Sequence, residues 1–177
     1  MVDIHDLIDL SEELEDVLED LEDMFDDLSI DGPDSTQLYE MYGVFLTDLV
    51  NNPIQIKGQV LKVNRNKSKH PFFKGKMQGF EHIVTRESKI KNKRDFDRER
   101  ANKIHWIKPI IENSSDSRIK YFEALNDKGL NQLFYWYEEK GFIVIIREVN
   151  PDLVLITSFS VDKGGESNFR KMYNEFN

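Results

Sequence analysis

An α+β fold follows from three features of the chain: helical periodicity in its first third, four β-rich runs in its last third, and turn residues between those runs. The expected layout is an N-terminal acidic helical hairpin over residues 1–50, then a basic domain over 51–177 built from a helix and a four-stranded antiparallel sheet. With 177 residues, 39% of them hydrophobic and none cysteine, the chain can bury a core without disulfide staples. Its longest apolar runs, 142–146 and 153–156, fall far short of the roughly 20 residues that a membrane span needs. The opening residues carry no basic segment, and acids interrupt their apolar positions, which is unlike a signal peptide. The expectation is a soluble, cytoplasmic protein with no membrane contact.

The first helix is expected from Leu7, Leu14, Leu21 and Leu28, spaced by seven, with Leu10, Val17 and Met24 three residues after the first three. Ile4, Leu18 and Phe25 widen the stripe, and most other positions from 6 to 27 are acidic, so this helix is amphipathic and anionic. Asp31-Gly32-Pro33 ends it. A second helix starts after Asp34, where Gln37 completes an Asp-x-x-Gln capping box, and runs to Asn51-Asn52-Pro53. Residues 53–63 alternate and read as a strand or a short hairpin. Residues 64–79 form a basic loop interleaved with aromatics, and 80–87 read as a short strand or the start of a helix. Phe96, Ala101, Ile104 and Ile107 recur at helical spacing until Pro109 ends or bends that helix. The runs at 118–125, 130–139, 141–149 and 153–161 are β-branched or aromatic, and the gaps between them permit only antiparallel neighbours, hence a meander. Residues 168–176 close the chain as a short helix.

The net charge of −9 conceals a division. Residues 1–50 hold 17 acids and no Lys or Arg, whereas 57–94 hold 12 Lys or Arg against Glu81 and Glu87. An acidic piece is joined to a basic one. Lys74 and Lys76 beside Phe73 suit phosphate contact combined with base stacking, although a lysine-rich loop can equally be a solubilising surface.

No Walker loop, GxGxxG, HExxH, GxSxG or Cys/His metal spacing is present, so the expectation is no cofactor and no metal. Of the four histidines, His5, His70 and His105 read as surface residues. His82 stands out because Arg86 follows it closely and Arg98 and Arg100 lie on the next helix. A histidine exchanges a proton near neutral pH, and arginines grip phosphate through paired donors. Metal-free RNA cleavage needs a base, an acid and cations around phosphorus. Arg147, after the aliphatic run at 142–146, reads either as a cleft cation or as the partner of a surface acid. Thr157 and Ser158 are hydroxyls inside an apolar strand, expected to split between its two faces.

The order of residues 79–87, 98–113, 133–148 and 153–162 resembles phage-associated members of the barnase–EndoU–colicin–RelE nuclease superfamily, over roughly residues 71–177. Those members carry an aromatic-x-His entry motif and an Arg-x-x-x-Ile-x-Trp helix running into Pro-Ile-Ile-Glu. A Trp-x-Glu-Glu strand, an aliphatic strand and a last strand with a Thr-Ala-Tyr-like end follow. The resemblance implies a helix packed on an antiparallel sheet and metal-independent ribonuclease activity of a toxin or phage-borne effector. By position His82 matches the family histidine, Arg100 the helix arginine and Thr157 the hydroxyl near the last strand's end. The mechanism expected from these residues makes His82 the general base or acid, Arg100, helped by Arg86 or Arg147, the phosphate holder, and Thr157 a hydrogen-bond donor. Glu139 matches the family's second acid, while Trp106 and Pro109 read as packing and helix termination. Ser158-Phe159 departs from the pattern by replacing a small residue and a tyrosine.

The expected partner is RNA. A protein inhibitor is a second possible partner, and residues 1–50 allow three readings: a helical layer buried on the sheet, an intramolecular mask over the basic domain, or a dimerising coiled coil. The competing functional reading is a catalytically silent interaction protein whose acidic hairpin binds a basic partner.

Overall fold

The computed structural model describes residues 16–176. The expected heptad positions Ile4, Leu7, Leu10 and Leu14, and His5, lie outside the described residues.

The acidic hairpin is not what residues 16–50 form. From 16 to 34 the chain is a strap of turns and extended segments with no helix. Leu18, Leu21 and Leu28 are buried as their spacing suggested, but in the same core as the sheet rather than along a helical seam. Aspartate is a weak helix former, and acids four apart, such as Glu19 and Asp23, repel one another along a helix. The body also takes up the strap's backbone groups. Tyr137 donates to the Leu18 carbonyl, Lys140 to those of Glu19 and Leu21, and Trp106 Nε1 to that of Glu22 at 2.9 Å. The Asn102 side chain both accepts from the Phe25 N–H and donates to its carbonyl, at 2.8 and 3.0 Å. Those bonds replace the ladder a helix would have made.

The second expected helix forms as read. Helix α1 (Ser35–Phe45) carries the capping box, with Asp34 accepting from the Gln37 N–H and Gln37 from that of Asp34. It continues as a π-helical turn, Leu46–Asn51. Met41, Phe45 and Leu49 are buried in the common core, so the packing shows no division at residue 50.

Strands β1 (Gln55–Ile56) and β2 (Gln59–Lys62) form a tight hairpin whose turn residues Lys57 and Gly58 both have positive φ, 52° and 76°. Helix α2 (Gln78–Val84) runs straight into β3 (Thr85–Glu87), which pairs with β4 (Arg94–Phe96). The single helix expected around Pro109 is instead three short pieces: α3 (Arg98–Ala101), a 3₁₀ turn (Ile104–Trp106) and α4 (Ile107–Glu112). Pro109 sits in the first turn of α4, where its missing N–H has no intrahelical acceptor to forfeit.

The meander is β5 (Ile119–Leu125), β6 (Asn131–Tyr137), β7 (Phe142–Val149) and β8 (Asp152–Ser160). It is antiparallel throughout, and helix α5 (Lys163–Phe176) follows. The sheet has six strands rather than four, because β2 adds in parallel to β8 and gives the order β1-β2-β8-β7-β6-β5. One face, with Leu133, Tyr135, Val144 and Ile146, packs on the helices and strap. The other, with Phe122, Phe134, Trp136 and Ile143, packs under Phe169, Met172 and Tyr173 of α5. Among the described residues no helix is long and apolar enough to cross a membrane.

Candidate functional site

Strand β2 pairs with β8 only at Leu153 and Val154, so the later part of β8 has no strand on that side. Helices α2 and α3 lie along it. A register irregularity beside Ile145 and Ile146 leaves Ile156 without a cross-strand partner. Leu155 therefore points into the main core opposite Ile146, while Thr157, opposite Ile145, points to the other face. The two hydroxyls do split: Thr157 accepts from Arg100 Nη1 at 3.3 Å, and Ser158 is buried with Oγ lacking a partner among the described residues.

The hub of this region is Thr85, at the C-terminal end of α2 and fully buried. Its hydroxyl donates to the Glu81 carbonyl at 2.6 Å and accepts from Arg94 Nε at 2.8 Å. Its carbonyl accepts from Arg94 Nη2 at 3.1 Å and from Arg100 Nη1 at 3.0 Å. Two guanidiniums thus converge on one helix terminus, whose exposed carbonyls favour cations. Asp97 caps α3 by accepting from the Arg100 N–H and lies 3.4 Å from Arg100 Nε. Burial pulls the Arg100 pKa below its ordinary value; Asp97 opposes that shift, and Arg94 and Arg86 add to it. The Arg100 guanidinium also lies over the Phe159 ring, 5.4 Å from its centroid. The residue that departs from the family pattern therefore supports the arginine by cation–π contact.

Beside this hub opens a cleft of about 910 Å³ between α2, the β3–β4 hairpin and the loop at 69–72. Its basic lining is Lys69, Arg86, Lys93 and Arg94, with His82 projecting from the last turn of α2. Asp31, Glu81 and Asp95 line it as well. Lys69, Arg86 and Lys93 have no ion-pair partner among the described residues. Desolvation by the cleft wall, then repulsion from Arg94, lower the His82 pKa, with Glu81 opposing. His82 is therefore set up to be neutral, and so able to accept a proton, near physiological pH.

The expected site residues separate into groups. His82 and Arg86 share the cleft. Arg100 and Thr157 touch one another behind it, within electrostatic reach of Arg86 and Arg94. Arg147 stands opposite Gln132 and Val154, two residues past Ile145, on the sheet face that carries α5 and not in the cleft lining. Glu139 lies in the β6–β7 turn, away from the lining. Phe73 requires correction: it is fully buried against Phe80, so it has no face to offer a base. Its neighbour Phe72 is 51% exposed and lines the cleft. Lys74 is exposed and Lys76 lies over the Tyr42 ring; neither reaches the lining.

His70, read from sequence as exposed, lines the cleft as a brace. Its Nε2 meets the Arg94 carbonyl at 2.9 Å and its Nδ1 accepts the Phe72 N–H at 3.2 Å, which fixes the neutral tautomer with hydrogen on Nε2. His105 is half-buried rather than outward-facing, and its Nδ1 has no hydrogen-bond partner among the described residues. Sequence reasoning missed Thr85 and Arg94. Arg94 ends a lysine-rich run that reads as solvated surface, and the only local signal was an Arg-x-Phe strand placed to pair back onto Thr85-x-Glu. Among the described residues the acidic strap does not cover the cleft: Asp16 and Glu19 pair with Arg118, and Asp23 pairs with Lys103, while the part of the masking reading that falls on 1–15 lies outside the described residues. Only Ile30 and Asp31 reach the lining. Comparison with protein-family models, with curated proteins and with solved structures finds no match to this chain.

Proposed function

We propose that the cleft binds RNA and cleaves its phosphodiester backbone without a metal ion. The observation that carries this reading is a neutral-leaning His82 in the same cleft as Lys69, Arg86 and Lys93, which join no ion pair among the described residues. The resemblance of residues 71–177 to the barnase–EndoU–colicin–RelE nucleases adds support, since it selects the same histidine.

In the proposed reaction, neutral His82 takes the proton of a ribose 2′-hydroxyl. The 2′-oxygen bonds to phosphorus, the bond from phosphorus to the 5′-oxygen breaks, and water in the cleft protonates the leaving oxygen. Arg86 and Lys93 hold the anionic phosphate, and Arg94 offers the Nη1 that its bonds to Thr85 leave open. Arg100 and Thr157 are positioning residues: they fix the Thr85 carbonyl and so the wall on which Arg94 is mounted. Phe72 offers a surface on which a base can stack.

The test is incubation of the full chain with end-labelled RNA in EDTA. The expected result is fragments ending in a 2′,3′-cyclic phosphate, with the rate reduced about 100-fold or more in His82→Ala. An intact substrate, or equal cleavage by the variant, overturns the catalytic reading. Retained RNA binding without cleavage would leave a silent binding protein.

A further inference from the structure

A second groove, of about 540 Å³, lies on the opposite charge of the molecule and takes no part in the RNA reading. Helix α1, the π-helical turn, the 3₁₀ turn and the strap enclose it. Met24 and Val44 supply its apolar surface, Glu40 and Asp48 its carboxylates, and His105 one edge; its lining contains no Lys or Arg.

Gly43 lines the groove from inside α1. A glycine within a helix weakens it relative to alanine, and such a residue is usually explained by a close neighbour that leaves no room for a side chain. Here nothing lies within 4 Å of the position a Cβ would take, and φ is not in the left-handed region. The fold itself therefore does not require the missing side chain. What the glycine provides is depth in an outward-facing groove.

The surroundings fix the charge of an occupant. Residues 16–50 contain 11 acids and no base. Among the described residues only Asp16, Glu19 and Asp23 of these join ion pairs. Glu40 and Asp48 are left without one. Burial raises the Asp48 pKa above its usual value, with Lys108 opposing and Glu112 reinforcing. The nearby His105 Nδ1 is buried, with no hydrogen-bond partner among the described residues. Tyr39, 81% exposed, adds an aromatic surface next to Glu40.

We propose that the groove over Gly43 docks a basic segment of a partner protein, whose arginine or lysine stem lies across the glycine while its charged head meets Glu40 and Asp48. An Arg or Lys side chain suits such a groove because its methylenes pack on Met24 and Val44 while its cation stays at the rim. The complementary charge favours the encounter as well as the bound state.

The test uses the full chain and a labelled peptide of alternating leucine and arginine pairs, followed by fluorescence anisotropy. Gly43→Phe places a ring in the groove from a Cβ position that meets nothing within 4 Å, so circular dichroism should be unchanged while affinity falls about tenfold or more. Glu40→Gln with Asp48→Asn should weaken binding to a similar degree, and Asp20→Asn with Glu22→Gln by much less. Equal losses for the two acid pairs would mean general attraction to an acidic surface, and would overturn the site. Competition by spermine as strong as by unlabelled peptide would overturn the apolar part of the assignment. Sedimentation showing a dimer that Gly43→Phe abolishes would make the occupant a second copy and overturn the separate partner. Absence of peptide binding also overturns the proposal.

Discussion

Residues 16–28 and residues 64–96 lie on the same body with opposite charge, and the structure holds them by different means. In the acidic strap the backbone is fixed, while Asp20, Glu22 and Asp26 carry carboxylates that join no ion pair among the described residues. Leu18, Leu21 and Leu28 are buried, and Tyr137, Trp106, Asn102 and Lys140 bond to main-chain groups. In the basic region some guanidiniums are themselves structural parts. Arg94 and Arg100 are consumed in part by the Thr85 carbonyl, and Lys69, Arg86 and Lys93 nearer the surface have no ion-pair partner among the described residues. A strap tied by its backbone can present any side chains, so its acids are available for recognition. A cleft built from arginines cannot lose one without changing its shape.

Several substitutions would sharpen or break this contrast. The largest effect is expected at Phe73→Ala in the basic loop: deleting a fully buried ring should cost about 3–5 kcal/mol in urea unfolding. Phe72→Ala, one residue away, should leave stability nearly unchanged and weaken RNA binding about tenfold. If the two variants behave alike, the distinction between core and cleft aromatic fails.

Asn102→Ala attacks the strap through its backbone. It strands both polar groups of Phe25, and the expected loss is about 1–3 kcal/mol by the same measurement, with proteolysis beginning in residues 16–34. A loss no larger than that of a surface substitution would mean that the buried leucines alone hold the strap.

The next effect concerns protons. Burial lowers the pKa of both His82 and His105 in the folded chain, with Glu81 opposing it at the first and the Glu22 backbone and Asp23 at the second. The unfolded chain then binds more protons as pH falls through the ordinary histidine range. Stability from this source is complete above that range and decreases below it. Proton NMR should place the His82 midpoint below that of a free histidine, and Arg94→Gln should raise it by removing the second cause. No movement in that variant would separate His82 from the arginine hub.

The smallest effect is expected at Arg118→Ala. Arg118 joins Asp16 and Asp116 through bidentate contacts, but at the solvent surface. Its removal should lower Tm slightly at low salt and not measurably at high salt. A large loss would move the strap's anchor from its backbone to its carboxylates.

The readable parts of the fold were those set by neighbours in sequence. Asp34 and Gln37 form their capping box because both lie within one helical turn. Lys57 and Gly58 turn the hairpin because few residues accept positive φ in succession. The meander formed because its gaps are too short for any other connection. Over the described residues the heptads misled, because leucines at positions 21 and 28 satisfy any segment that buries a side chain at that interval, helical or not. His82 could be selected from its arginines, but Thr85 could not. Its role depends on Arg94 and Arg100 arriving from two later elements.

By itself, then, the sequence determined which stretches prefer helix, turn or strand and where the two signs of charge are concentrated, since these depend on local sterics and composition. Tertiary structure alone decided that the leucines of the strap join the main core and that β2 lies parallel to β8. It also decided that Phe72 rather than Phe73 faces solvent and that Gly43 opens into a groove. Each of those outcomes is settled by competition among distant groups for the same backbone donors, acceptors and buried volume, and no local pattern records who wins.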